Sequence, residues 1–168
     1  MKKMLALLIG LGMVLCVSNV FAADAMTENL EKMDGTKNME KYKLTLACTL
    51  DSGGDFELSE ALSTSTVNTL HGFYLYSITA YPGATATTDN TDLTIIATEA
   101  TTNKSVDILG GNGTDLIDAT TSKETIPAIS FAGLNLYHIM DKENTYTITT
   151  ANNAEASADP ILELIFVQ

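Results

Sequence analysis

The sequence predicts an all-β protein: an antiparallel β-sandwich of about eight strands, Ig-like or jelly-roll-like, with a short N-terminal helix. Three observations point that way. From Tyr42 onward apolar residues alternate with polar ones at a period of two. The alternating runs are short and separated by clusters of Gly, Pro, Asn and Asp with turn chemistry. The chain holds 24 threonines in 168 residues, and a β-branched side chain suits a half-exposed pleated surface.

The first 22 residues read differently. Lys2 and Lys3 form a positive start, Met4 to Val17 an uncharged apolar run, and Ser18 to Ala22 a small and polar close. That is the anatomy of a signal peptide, with Ala22 at the cleavage point and a working chain from Ala23. The run is too short for a membrane span, which needs roughly 20 apolar residues. Leu15 before Cys16 is too large for a lipid-attachment site. The expected location is therefore exported: periplasmic, cell-surface or extracellular in a bacterium.

Residues 23–41 are expected as a short helical or disordered leader. Met26, Leu30 and Met33 fall at i, i+4 and i+7, Glu28 and Lys32 make an i,i+4 pair, Thr27 offers a cap and Gly35 a stop. The β-sandwich domain is expected over 42–168. Its strands are Tyr42–Leu50, Gly72–Tyr81, Asp92–Thr98, Ser105–Leu109, Thr125–Phe131, Leu134–Met140, Thr145–Thr150 and Ile161–Val167, with residues 59–68 left as loop or weak strand. The expected core takes Leu44, Leu46, Cys48, Leu75, Ile78, Leu93, Ile95, Val106, Ile108, Ile129, Phe131, Leu136, Ile148, Leu162, Leu164 and Phe166.

Charge narrows the partners. The net charge is −12 with no arginine, and two of the nine lysines lie in the signal segment. So acidic a chain, without the guanidinium fork that grips phosphates, is repelled by nucleic acid and by an anionic membrane surface. Once Cys16 is removed Cys48 stands alone, so no internal disulfide can form, and its place in a strand pattern predicts a buried free thiol.

Few motifs carry chemistry. Gly110-Gly-Asn-Gly-Thr-Asp-Leu-Ile-Asp118 fits one calcium-binding nonapeptide repeat, but neighbouring repeats are missing and one copy supplies half a site. The preferred reading is a glycine turn. Asp107, Asp115 and Asp118 are the candidate calcium ligands, calcium being the one cofactor the sequence leaves open. His71 and His138 sit in apolar strand-like contexts, and no nucleophile elbow or zinc spacing accompanies them. The acid pairs Asp89/Asp92 and Asp141/Glu143 read as solvated turn residues, with glycosidase chemistry a matter of fold. No enzyme is expected. Asn103 and Asn112 begin formal glycosylation sequons of little weight in a bacterial chain.

Beyond Tyr81 the pattern resembles a known family. Pro82-Gly83, Asp92-Leu93-Thr94-Ile95, Val106-Asp107-Ile108-Leu109-Gly110 and Gly113-Thr114-Asp115-Leu116 follow the turns and strands of small β-rich tailed-phage and prophage virion-associated proteins. Ile126-Pro127 and the closing strand Leu162–Val167 match the family's ending, so the resemblance spans roughly residues 72–168. Ala86-Thr87 stands where the family has Pro, and the signal peptide is foreign to a virion protein assembled in the cytoplasm. The resemblance implies a structural β-domain without a reaction, here reused outside the cell.

The expected function is thus a non-enzymatic exported structural or interaction module, contacting a protein partner or itself through loops or strand edges. The competing expectation is an exported ligand-binding module for glycan or calcium, built on Tyr74, Tyr76, Tyr81, Tyr137 and the Asp-rich loops.

Overall fold

The computed structural model describes residues 24–34, 39–51, 57–127, 129–131, 134–136 and 138–168. The signal segment and Tyr137 lie outside the described residues, as do the expected core side chains of Ile129, Phe131 and Leu136.

The elements are β1 (Ala25–Met33), β2 (Lys41–Thr49), β3 (Ser59–Ala61), α1 (Thr64–Thr69), β4 (Tyr74–Tyr81), β5 (Asp92–Glu99), β6 (Ser105–Asp107), β7 (Lys123–Thr125), β8 (Ile129–Phe131), β9 (Leu134–Leu136), β10 (Asn144–Ala151) and β11 (Ile161–Val167). All pair antiparallel. One sheet runs β1-β2-β11-β4-β7, a second β3-β10-β5-β6, and β8 and β9 form a separate hairpin. The mostly antiparallel β architecture expected from the period-two pattern is what the chain adopts.

The alternation places the core. Leu44, Leu46 and Cys48 of β2, Leu162, Leu164 and Phe166 of β11, and Ile78 and Ala80 of β4 point inward from the first sheet. They join Leu93, Ile95 and Ala97 of β5 and Tyr146 and Ile148 of β10 in one buried cluster. Burying a large apolar side chain contributes about 1.5–3 kcal/mol, so a cluster of this size holds the domain without a disulfide.

Several expectations change. The helix expected within 23–41 is a nine-residue strand, β1, paired along its whole length with β2 from Ala25↔Thr49 to Met33↔Lys41. Apolar residues at i and i+4 satisfy a strand face as well as a helix face, and pairing with β2 supplies hydrogen bonds that a short helix in water lacks. The sheet therefore begins before residue 42. The Glu28–Lys32 helix pair does not form either. Glu28 accepts from the Ser63 N–H at 2.6 Å and the Ser63 hydroxyl at 2.7 Å, and Lys32 meets Glu40 at 2.8 Å. Val106, expected in the core, is 38 % exposed: it pairs with Ala97 from the three-residue β6, the outermost strand of its sheet. The Asp107 carboxylate there accepts from the N–H groups of Leu109 and Gly111 and turns the chain.

The 59–68 stretch, expected as loop or weak strand, holds β3 and all but the last residue of the six-residue α1, whose N-cap Ser63 accepts from the Thr66 N–H. The expected strand 125–131 divides into β7 and β8. That at 134–140 shortens to β9 plus a single bridge, Tyr74↔Ile139.

Candidate functional site: the outer face of the five-stranded sheet

A strand whose odd residues face solvent should carry polar side chains there, and at one end of the first sheet it does not. Directly paired residues share a face. The pairings Met33↔Lys41, Lys41↔Val167, Val167↔Tyr74 and Tyr74↔Ile139 run one row across the outside of the sheet. Four of its five side chains are apolar or aromatic. Val167 is buried there, although it takes no part in the central cluster. Together with Met39, Lys41, Tyr74 and Tyr76 it lines a small open cavity of about 190 Å³.

A bulge supplies the most prominent ring. The β4–β11 register moves from Ile165↔Ser77 to Phe166↔Leu75, which leaves Tyr76 without an opposite residue. An unpaired residue re-aims its side chain and bends the strand. Tyr76 is accordingly 48 % exposed, and Ile139 at the end of the row is 62 % exposed. Among the described residues most of the large exposed apolar side chains belong to this face: Met33, Met39, Tyr76, Ile139 and, farther along β11, Ile161. Lysozyme-sized monomers rarely leave such residues contiguous without a use for them.

The neighbouring rows carry one lysine between two carboxylates. Lys43 lies 3.7 Å from both Glu31 and Glu163, and the Tyr81 hydroxyl donates to Glu163 at 3.1 Å. Donation to that carboxylate and partial desolvation raise the Tyr81 pKa. Such half-exposed pairs add little stability; they fix side-chain orientation beside the apolar row.

The residues singled out from the sequence are scattered. Asp107 holds the turn after β6. Asp115 donates its N–H to Asp92 and lends its carbonyl to the Lys123 ammonium. Asp118 accepts from the N–H groups of Thr120 and Thr121 and pairs with Lys123 at 3.0 Å; these contacts hold its carboxyl far below the usual carboxylate range. Among the described residues no group of three or more His, Cys, Asp or Glu side chains converges to hold a metal ion. The glycine run does what a turn requires. Gly111 has φ of 83°, and a Cβ on Gly113 would stand 1.8 Å from the Leu93 carbonyl oxygen.

His138 and His71 both meet the chain around Asp141. His138 Nε2 lies 3.1 Å from the Tyr146 hydroxyl, which accepts the Asp141 N–H at 2.7 Å, and His71 Nδ1 accepts the Lys142 N–H. Burial lowers the His138 pKa and raises that of Tyr146. Asp141 and Glu143 also border an open cavity of about 480 Å³ with Glu99 and Lys104, but the Asp141 carboxylate is engaged by the Glu143 N–H. Asp89 accepts from the Ala119 N–H, and Asp92 also holds the Asn152 amide. Cys48 is 3 % exposed, and burial pushes its thiol up to about 12, the opposite of an activated nucleophile.

Sequence reasoning found Tyr74 and Tyr76 but missed Met33, Met39 and Ile139. The available signal was parity: Leu75-Tyr76, Ile139-Met140 and Phe166-Val167 are adjacent apolar pairs, so one member of each must face away from the core.

Neither the family models, the curated proteins nor the solved structures compared with this chain give a match.

Proposed function

We propose that this protein is a non-enzymatic, exported structural or interaction module, and that the apolar row on the outer face of the five-stranded sheet is its contact surface. The observation that carries this reading is the run Met33, Val167, Tyr74 and Ile139 across the sheet, with Tyr76 lifted out by the bulge. Tyr and Met are enriched at protein interfaces, and a single cation, Lys41, within the row gives a partner's acid something to meet.

The domain type belongs to the same proposal. With β1 and the β8–β9 hairpin set aside, the remaining strands in chain order form sheets 1-8-3-6 and 2-7-4-5. That is the order of a jelly roll, two Greek keys closed around one core, a scaffold common to capsid and lectin domains. It agrees with the resemblance to phage virion-associated proteins and favours the jelly-roll over the Ig-like form of sandwich.

Sedimentation across a wide concentration range tests the reading. The protein should associate, alone or with a captured partner, and Tyr76→Ser with Ile139→Ser should weaken that association about tenfold or more, since two buried apolar contacts of this kind account for at least 1.4 kcal/mol. An association identical in the double variant would rule out this face.

The ligand-binding reading keeps one supporting observation, the cavity between Tyr74, Tyr76 and Lys41. A glycan ring would stack on the tyrosines; calcium would go to the Asp loops and raise the melting temperature with concentration. Flat melting curves in millimolar calcium would dismiss the metal.

A further inference from the structure

The four edges of the two larger sheets are unequal. β3, β6 and β7 have three residues each, whereas β1 has nine. β1 pairs β2 on one side, and among the described residues no strand pairs its other side. A long edge with a free row of N–H and C=O groups is a template for another strand. This one is also held rigid. Asp24 accepts from the Ser59 N–H at 2.8 Å, and Glu28 accepts from Ser63 and from the Thr66 hydroxyl. An incoming strand therefore meets a pre-ordered partner and pays less entropy.

The sequence of β1 selects its own copy. In a symmetric antiparallel pair one residue lies opposite itself, and every other contact occurs twice. Centring on Glu28, Glu31 or Lys32 sets like charges against each other, which destabilises. Centring on Asn29 brings no charge against a charge. Centring on Leu30 puts Leu30 against Leu30, Glu28 against the partner's Lys32, Asn29 against the partner's Glu31, and Thr27 against the partner's Met33. No like charges then lie opposite, Glu28 and Lys32 keep their own partners Ser63 and Glu40 while standing across from opposite charge, and an amide meets a carboxylate twice.

We propose that β1 pairs antiparallel with β1 of a second copy about a two-fold axis at Leu30, doubling the five-stranded sheet. This goes beyond the outer-face reading, since it uses the strand's edge and leaves the apolar rows of both copies open at opposite ends of the joined sheet. The acidic copies repel at long range, so pairing should strengthen as salt screens them.

Cysteine trapping reads the register. Residues directly opposite bring Cα atoms about 4.5–5.5 Å apart, inside the Cα separation a disulfide spans, and the buried Cys48 stays out of the reaction. Asn29→Cys and Glu31→Cys both lie on the exposed outer side of β1, where the fold tolerates them; circular dichroism of each variant verifies that. An equimolar mixture of the two, oxidised at ~0.15 M salt, should give roughly tenfold more covalent dimer than either alone. Self-linking of Asn29→Cys at equal yield would place the axis elsewhere, and no linking in any mixture would overturn the dimer. Trapping that persists in Tyr76→Ser/Ile139→Ser supports the edge whatever becomes of the outer face. Lost association in that variant without trapping supports the face and overturns the edge.

Discussion

Cys48 shows how much a single position can carry when the fold has no covalent staple. Its thiol belongs to the buried cluster with Leu44 and Leu46 of β2 and with Leu50 just beyond it, and it donates weakly to the Leu46 carbonyl at 3.9 Å. Burial raises its pKa to about 12, so the reactive thiolate is absent at neutral pH. Folded protein should therefore resist iodoacetamide at pH 8 while unfolded protein labels fully; equal labelling of both, followed by mass spectrometry, would contradict the burial. The parity argument that placed Cys48 inward needed only its neighbours. Tyr76 needed more, because the bulge that turns it outward is a property of the β4–β11 pairing.

At the scale of elements, β1 is where local pattern and final structure part. Met26 and Leu30 fit a helix and a strand equally, and Met33 fits only the helix face. The strand forms because β2 offers nine pairing positions and because Glu28 reaches the start of α1. Replacing Glu28 with Ala removes a carboxylate accepting several hydrogen bonds and leaves the Ser63 N–H without it. Its partial exposure sets the expected loss at about 1–2 kcal/mol in chemical denaturation, with faster hydrogen exchange in β1 and α1 before the rest. A loss shared evenly by all strands, or none, would show that Glu28 does not anchor the edge. The strands β2, β5 and β10 were legible because each alternates and buries one face, and β4 and β11 because they do so outside the bulge. The three-residue β3 and β7 were not, since so short a run carries no period.

On the scale of the whole molecule, polar contacts between distant loops close the ends of the sheets. Thr85 donates its N–H to Asp159 at 2.6 Å, Thr88 to Asn153 at 3.0 Å, and Asp92 joins Asp115 to Asn152. At the other end the His138–Tyr146–Asp141 chain has a consequence for acid stability. With the Asp141 N–H already donating to the phenol oxygen, the phenol hydrogen is left for Nε2 of a neutral ring. Burial lowers the folded pKa of His138, so the unfolded chain binds this proton more readily. The group costs nothing above the unfolded value of about 6.5. Its penalty grows as pH falls through that value toward the depressed folded one. Melting temperature should drop between pH 7.5 and about 5.5, and His138→Asn should flatten that drop; a slope unchanged by the substitution would assign it to other groups.

Local pattern alone was enough for a mostly antiparallel β chain, the inward residues of the long strands and the glycine turn, because alternation and backbone sterics act over a few neighbouring residues. Tertiary structure decided the fate of β1, the exposure of Val106, the joining of Met33, Val167, Tyr74 and Ile139 into one row, and the contacts of every candidate acid. Those depend on which strand lies beside which, and strand order in an antiparallel fold is set by contacts between residues far apart in the chain, which no local period records.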